Sequence, residues 1–407
     1  MAPPPSLNRA LAHTNESTHV GPSFGMNLLA PPILPSTIRS GSGKKNADKA
    51  RRQHKRQVAK KEQPGRPRSS FSKKCAKLPS IKVGYNVASP RTANGAFVSL
   101  LPKERSGREW SLDELIHRGF KEVKWDGRTP TLLVDEEDRI ITVLAGRPAG
   151  DDWDEVHTEI STLLHKAGSK VSKPRKQEQQ GNFTSLSFGV SYGEGQQAPG
   201  NLAHGECNGA VIRDIMQTKA VQRAAGFMNS CFAGYAPKLY EEYHSNLSLL
   251  FAQYPHLERI FSNSIFPTAT FNCGPRVVSL DRVDNTNIPV GFCAVFACGS
   301  YDPVQGGHLI LFDLGLVIQF PPGSTILVPP GTLRHGNVST RPNETHQSFT
   351  QYFPGGLLHV VGSTKPALRN WFEGHDDERY QRAMGLFSKI SDLQQDQQAV
   401  FSLKGSI

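Results

Sequence analysis

The six cysteines of this 407-residue chain include no C-x-x-C pair, and their spacing matches neither a zinc site nor a dense disulfide framework. A reducing compartment is the expectation. No stretch approaches the roughly 18 apolar residues that a membrane span requires, and the opening MAPPPSLNRALAHTNESTHV lacks the continuous apolar core of a secretory signal. A protein that does not engage a membrane is therefore expected. Acidic residues are nearly missing from one part of the chain. Residues 1–82 carry 3 Asp/Glu against 17 Lys/Arg, a net of +14, so the overall +11 leaves residues 83–407 with 33 against 30, a net of −3. The basicity belongs to a tail.

That tail is also poor in aromatics. Its Pro-rich patches and the run GKKNADKARRQHKRQVAKKEQPGRPRSSFSKKCAK predict a disordered basic segment over 1–83. Clustered Lys/Arg fits the nuclear import machinery, and so a nuclear location, or a phosphate backbone; a merely solvated tail is the plain alternative.

Order is expected from about residue 96. TLLV at Thr131–Val134, the turn DEED and RIITVLAG predict a hairpin, and acidic Asp151, Asp152, Asp154 and Glu155 predict the start of a helix running to about Ala167. Gly168–Gln180 reads as a linker. SLSFGVSYGEG predicts a short strand, and helices follow from about Cys207. Leu239, Tyr243, Leu247 and Leu250 form an apolar stripe behind Pro237. From Phe266 to Val361 the runs TATFNC, GFCAVFACG, GGHLILFDL, GLVIQFPPG, STILVPPG, HQSFTQYF and LLHVV predict many short strands, hence a sandwich or barrel. Tyr380, Met384, Phe387 and Ile390 predict a final helix. The fold class expected is α+β. The boundaries expected are a tail over 1–83, an α/β extension over 84–180 and a third unit over 181–400, with helices over 206–262, a β barrel over 264–362 and a helix over 375–397.

Within the β region, Asp284 and His335 lie 51 residues apart, a separation at which strands of a jelly roll can face each other across its mouth. Two histidines and one carboxylate hold non-haem Fe(II) while leaving positions for a cosubstrate and O₂. The stretch from Asp284 to Leu357, with GSYDP, GGHLIL, FPPGSTIL, RHGN and SFTQY in order, resembles the catalytic barrel of the fungal, basidiomycete-type TET/JBP-like dioxygenases. NLAHG, YAPKLYEEY, NSIFPTATFNCGP and ERYQRAMGLFSKI resemble that family's flanks, so the likeness covers roughly residues 110–395.

This resemblance implies a double-stranded β-helix, or jelly roll, flanked by helices. It implies Fe(II) and 2-oxoglutarate as cofactors, and methylated cytosine in DNA as the substrate whose methyl group is oxidised. The base would have to leave the duplex to be reached. The resemblance places metal ligands at Asp284 and His335. The family's first ligand is the His of an H-x-D pair, which reads Arg282-Val283-Asp284 here, and a guanidinium has no lone pair to give a metal. The family's 2-oxoglutarate arginine falls at His346, with Arg341 five residues before it as a substitute anchor. Asn287 is expected to face the substrate pocket or to shape a turn. His308 is expected to complete the metal set or to be an ordinary strand residue. Asp284 and His335 either retain weak metal binding or persist as framework, with Asp284 paired to Arg282.

Two functions follow: a dioxygenase of this family, or a catalytically inactive DNA-binding or regulatory homologue. A third reading, a cupin-like binding barrel with a basic tail, predicts that Asp284 and His335 do not approach each other. Cys293 and Cys298 are expected to pack as small hydrophobes.

Overall fold

The computed structural model describes residues 47–54, 58, 71, 74–75, 77–89, 107–171, 183–193, 195–358, 360 and 376–402. Most of the basic tail and residues 172–180 of the expected linker lie outside them. The chain divides into Met1–Arg52 and Gln53–Ile407, and everything that follows concerns the second unit.

The short apolar runs pair as strands because alternation gives each a side to bury. The strands are β1 (Ser80–Lys82), β2 (Lys121–Val123), β3 (Thr131–Val134), β4 (Ile140–Gly146), β5 (Thr184–Ser191), β6 (Gly200–Asn201), β7 (Thr268–Cys273), β8 (Cys293–Ser300), β9 (Leu309–Leu311), β10 (Leu316–Ile318), β11 (Thr325–Val328), β12 (His335–Asn337) and β13 (Thr345–Tyr352). The large sheet has the order β1-β3-β4-β11-β8-β13-β7-β5-β6, and the small one β12-β9-β10-β2. A backbone bridge joins Arg282 to β12 at His335. From β7 onward the chain alternates between the sheets: β7 in the large one, Arg282 in the small, β8 large, β9 and β10 small, β11 large, β12 small, β13 large. That connectivity is a jelly roll, the architecture expected of the double-stranded β-helix. The expected hairpin is present as β3 and β4, paired antiparallel.

Strands from the preceding 84–180 region do not stand apart. β4 pairs antiparallel with β11, and β2 pairs parallel with β10. β1 lies parallel to β3, with Lys82 paired to Asp138 at 2.9 Å. Residues 80–82 thus form an edge strand within the range read as tail; Ile81 packs against the core and so anchors a charged neighbourhood.

The helices are α1 (Leu112–His117), α2 (Trp153–Lys170), α3 (Glu206–Gln217), α4 (Lys219–Tyr235), α5 (Pro237–Gln253), α6 (Asp376–Met384) and α7 (Leu393–Ser402). In α2, Trp153, Val156, Ile160, Leu164 and Ala167 form one buried stripe, and Asp154 and Glu155 occupy the first turn. The helix runs to Lys170, past the start expected for the linker. Leu239, Tyr243, Leu247 and Leu250 of α5 are buried behind Pro237, as the spacing predicts. Two expectations are corrected. The described residues of LLHVV do not form a strand: after β13 the chain turns at Pro354 and Gly355, and Leu357 and Leu358 enter a helical turn with both side chains buried. A short apolar run fits either state by periodicity. The final helix is two, α6 and α7, separated by the turns of Gly385–Asp392, where Ile140 N–H donates to the Ser388 carbonyl.

Aromatic rings fill the space between the large sheet and the helices. Phe349 of β13 is fully buried, 5.1 Å from the Phe271 ring and 5.8 Å from Phe261. Phe296 of β8 meets Trp153, whose indole N–H donates to the Gly323 carbonyl at 2.9 Å. Phe349→Ala is expected to cost about 3–5 kcal/mol of unfolding free energy, measured by chemical denaturation; a loss below about 1 kcal/mol would show that the sheet–helix interface repacks freely.

Candidate functional site

Arg282, Asp284 and His335 converge because of how the backbone is paired. Arg282 and His335 exchange both backbone hydrogen bonds, at 3.0 and 2.9 Å, as directly opposed residues of an antiparallel pair. Opposed residues share a face, and so does a residue two further along. All three side chains therefore project into the cavity between the sheets. Asp284 N–H donates to the Pro330 carbonyl at 2.9 Å, and the Asn287 N–H closes a turn on the Asp284 carbonyl at 3.0 Å.

The cavity measures about 80 Å³. Its wall takes Val295 and Ala297 from β8 and His346, Ser348 and Thr350 from β13, and it takes Leu309, His335 and Asn337 from the small sheet. On β13 the period of two sets His346, Ser348 and Thr350 together. That H-x-S-x-T alternation inside an otherwise β-like run was the signal for Ser348 and Thr350, which reading by motif alone missed. Asn272 of β7 also lines the wall and donates to the Ser348 hydroxyl at 2.8 Å.

Arg282 Nε donates to Asp284 Oδ1 at 2.9 Å, with the two side chains 19% and 29% exposed. His335 Nε2 lies 3.8 Å from Asp284 Oδ2, so the separation predicted by an unrelated cupin-like barrel is not observed. The His335 Nδ1 lies 3.0 Å from the Leu333 carbonyl. A carbonyl only accepts, so Nδ1 carries the proton and Nε2 offers its lone pair towards the carboxylate. Burial pushes the His335 ring below the usual imidazole range, against the pull of Asp284.

His346 repeats that arrangement. Its Nδ1 donates to the Val277 carbonyl at 2.8 Å, leaving Nε2 with a lone pair. Gly299 stands opposite His346 at a φ of 114°, and Tyr301 packs edge-on to the ring at 5.1 Å. A Cβ at position 299 would run into the Thr345 carbonyl, so glycine is needed there. Burial drives the His346 ring down to about 4, with the bond to Val277 opposing. It is neutral at physiological pH.

The remaining sequence-predicted residues lie elsewhere. Arg341 is on the surface, bonded to Glu344 at 2.6 and 3.0 Å, and it does not line the cavity. That pairing holds Glu344 at about 2. Asn287 is buried beside Cys293, to whose sulfur its amide donates at 3.5 Å, and is also outside the cavity wall. His308 is fully buried directly before β9, 3.8 Å from Glu122 Oε1, with neither ring nitrogen within hydrogen-bonding geometry. It has no part in the Asp284 cluster. Cys293 and Cys298 are buried, and none of the six cysteines is disulfide-bonded.

Among the described residues no three His, Cys, Asp or Glu side chains gather where one metal ion would sit. Iron implied by the resemblance would find Asp284 and His335, but the third position holds a guanidinium that already occupies the carboxylate. This donor set does not fit the ion. The distal carboxylate of 2-oxoglutarate would meet the lone pair of His346 rather than a donor, so the cosubstrate does not fit either.

No family model and no curated protein matches the chain. Among solved structures, NgTET1 in complex with 5mC DNA aligns at 13% identity with a TM-score of 0.40, over 58% of this chain and 83% of that one. An oxidoreductase of the 2OG-Fe(II) oxygenase family from Burkholderia pseudomallei aligns at 13% identity with a TM-score of 0.29, over 51% and 93%. Among the described residues, no helix is long and apolar enough to cross a membrane.

His346 gives the site a pH signature. Its folded value of about 4 lies below the ordinary 6.5, so between those values the unfolded chain binds the extra proton. The stabilisation is complete above about pH 6.5 and is lost as pH falls towards 4, by about 3 kcal/mol at about 1.4 kcal/mol per tenfold change in proton concentration. Unfolding free energies measured between pH 4 and 7 should fall with acid, and His346→Gln should flatten that slope. An unchanged slope would place His346 in a solvated setting.

Proposed function

We propose that this chain is a jelly-roll relative of the 2-oxoglutarate- and Fe(II)-dependent dioxygenases that act on 5-methylcytosine in DNA, that it does not carry out the oxidation, and that it works as a DNA-binding or regulatory homologue. The observation that carries this reading is the 2.9 Å bond from Arg282 Nε to Asp284 Oδ1. It places a permanent positive charge where an Fe(II) ligand is needed, and a cation placed there would meet electrostatic repulsion as well as a missing lone pair. The neutral His346 at the cosubstrate position supports the reading independently.

DNA as the partner is supported by the resemblance and by the charge distribution. The body from residue 83 is slightly acidic, so long-range attraction to a polyanion would come from the tail, which carries 17 Lys/Arg before residue 83. The same tail suits nuclear import. Retained catalysis, the second reading, is favoured by one feature: the lone pair of His335 Nε2 still faces Asp284 Oδ2 at 3.8 Å.

The chain, incubated with methylated duplex DNA, Fe(II) and 2-oxoglutarate, is expected to form neither succinate nor 5-hydroxymethylcytosine above a protein-free blank. Clear turnover by the unaltered sequence would overturn the proposal. The double change Arg282→His with His346→Arg restores the donor types at both positions and is expected to raise succinate formation by about tenfold or more, since each restored contact is a charge-assisted or metal bond. A double variant that is folded and metal-loaded yet inert would refute the assignment of those two positions.

A further inference from the structure

His335 and His346 reach the cavity from opposite sheets, with 7% and 6% of their surface exposed. Their Nδ1 protons go to the Leu333 and Val277 carbonyls. Nε2 of neither ring makes a hydrogen bond among the described residues, and both atoms keep accessible surface, so the two lone pairs open into the cavity. The group facing His335 is Asp284 Oδ2 at 3.8 Å, a carboxylate oxygen with no proton to give. Acceptors left without a donor in a buried cavity are costly, and these two call for N–H or O–H groups from outside the chain.

The wall also offers a donor. Ser348 stands two residues from His346 on the same face of β13, and its oxygen accepts from the Asn272 amide at 2.8 Å. None of the described residues takes the Ser348 hydroxyl proton, which points away from that amide. The two positions lie roughly 7 Å apart along the strand, a span that one planar amide can bridge by donating at one end and accepting at the other. Charge excludes the ionic alternatives. Burial keeps both rings neutral near pH 7, and the only ionic groups on the wall, Arg282 and Asp284, are bonded to each other. A carboxylate or an ammonium would enter without a counter-charge of its own. Val295, Ala297, Leu309 and Val328 make part of the lining apolar, a surface that water alone would not satisfy.

We infer that the cavity binds a small neutral primary carboxamide, whose N–H groups donate to Nε2 of His346 and His335, whose carbonyl accepts from Ser348, and whose alkyl tail lies against the apolar wall. This rests on the reading that the centre takes neither iron nor 2-oxoglutarate, and it turns the disagreement with that cofactor set into a different specificity. His335, His346 and Ser348 are then binding residues. The Arg282–Asp284 pair keeps the cavity free of net charge.

The test uses the full chain in chelator-containing buffer and three probes of one shape: propionamide, propionate and butanone, which differ only in carrying NH₂, O⁻ or CH₃ on the carbonyl carbon. Propionamide is expected to bind in the millimolar range and to move the Nε2 signals of His335 and His346 in nitrogen-15 spectra of the imidazoles, as each accepts a hydrogen bond. Butanone lacks the N–H donors and propionate replaces them with lone pairs and a charge, so each should bind about tenfold or more weakly, as when a site's polar groups are left unpaired. His346→Phe keeps a ring and removes the acceptor; it should cut the preference for propionamide over butanone by about fivefold or more, a change in selectivity that mere loosening of the fold would not produce. Ser348→Ala should weaken propionamide by about threefold or more. Ring signals unmoved by propionamide, which would mean that water alone fills the cavity, would overturn the inference. So would equal or tighter binding of butanone or propionate, an unchanged preference in folded His346→Phe, or an unchanged affinity in folded Ser348→Ala. None of these readings needs iron or DNA, so their failure is separable from that of the proposed function, which succinate formation decides.

Discussion

Strands β8 and β13 run antiparallel from Ser300 opposite Thr345 to Ala294 opposite Gln351, and both faces of that pair are buried. One face carries Phe296 opposite Phe349 and Cys298 opposite Gln347; it supports the helices, through Trp153 on Phe296 and through the Gln351 amide donating to the Ala225 carbonyl of α4. The other carries Val295 opposite Thr350, Ala297 opposite Ser348 and Gly299 opposite His346, and it forms the cavity wall. A register slip of one residue would exchange the two sets, placing aromatic rings in the cavity and polar side chains against the helices. The hydrophobic core thus fixes the position of every cavity group contributed by these strands.

The opposite wall depends on a smaller constraint of the same kind. Two backbone hydrogen bonds between Arg282 and His335 hold those residues abreast, and the period of two brings Asp284 to the same face. Such a frame is indifferent to which side chain stands at position 282. Its energetic consequence is not. A neutral imidazole there would leave a carboxylate and two ring lone pairs facing one point, a set that requires a cation. With arginine the cation is part of the chain, the carboxylate is satisfied within the fold, and the lone pairs remain open towards the cavity.

Much of this was legible in residue patterns, and the exceptions share a cause. The β3–β4 hairpin, the stripe on α5 and the strand character of β7, β8 and β13 follow from local alternation and periodicity. LLHVV was misread because four apolar residues around one histidine carry no clear period, and the turn at Pro354–Gly355 that sets its direction is stabilised from outside, where Gly355 N–H donates to the Thr286 carbonyl. Arg341 lies five residues before His346 in sequence, but Glu344, three residues on, takes its guanidinium at the surface. The charged pair closes locally, and sequence separation is no guide to reach. The Arg282–Asp284 contact was readable as i, i+2 neighbours on one strand face. The carbonyls of Leu333 and Val277, which set the tautomers of His335 and His346, were not: backbone acceptors have no signature in the side-chain sequence.

Those two carbonyls decide more than orientation. A histidine whose Nδ1–H is committed to a backbone oxygen offers only an acceptor at Nε2, whichever residue faces it, and burial of both rings disfavours the protonated form that would offer a donor. The cavity is consequently a site with acceptors fixed by the backbone and a donor fixed by one side chain. Fixed acceptors suit a metal ion or a ligand's own N–H and O–H, and they exclude an anion at those points. The Arg282 guanidinium, already bonded to Asp284, supplies the positive charge itself and excludes a metal ion. Both kinds of group lie in one small cavity. The cation that those acceptors would otherwise gather is thus already part of the chain.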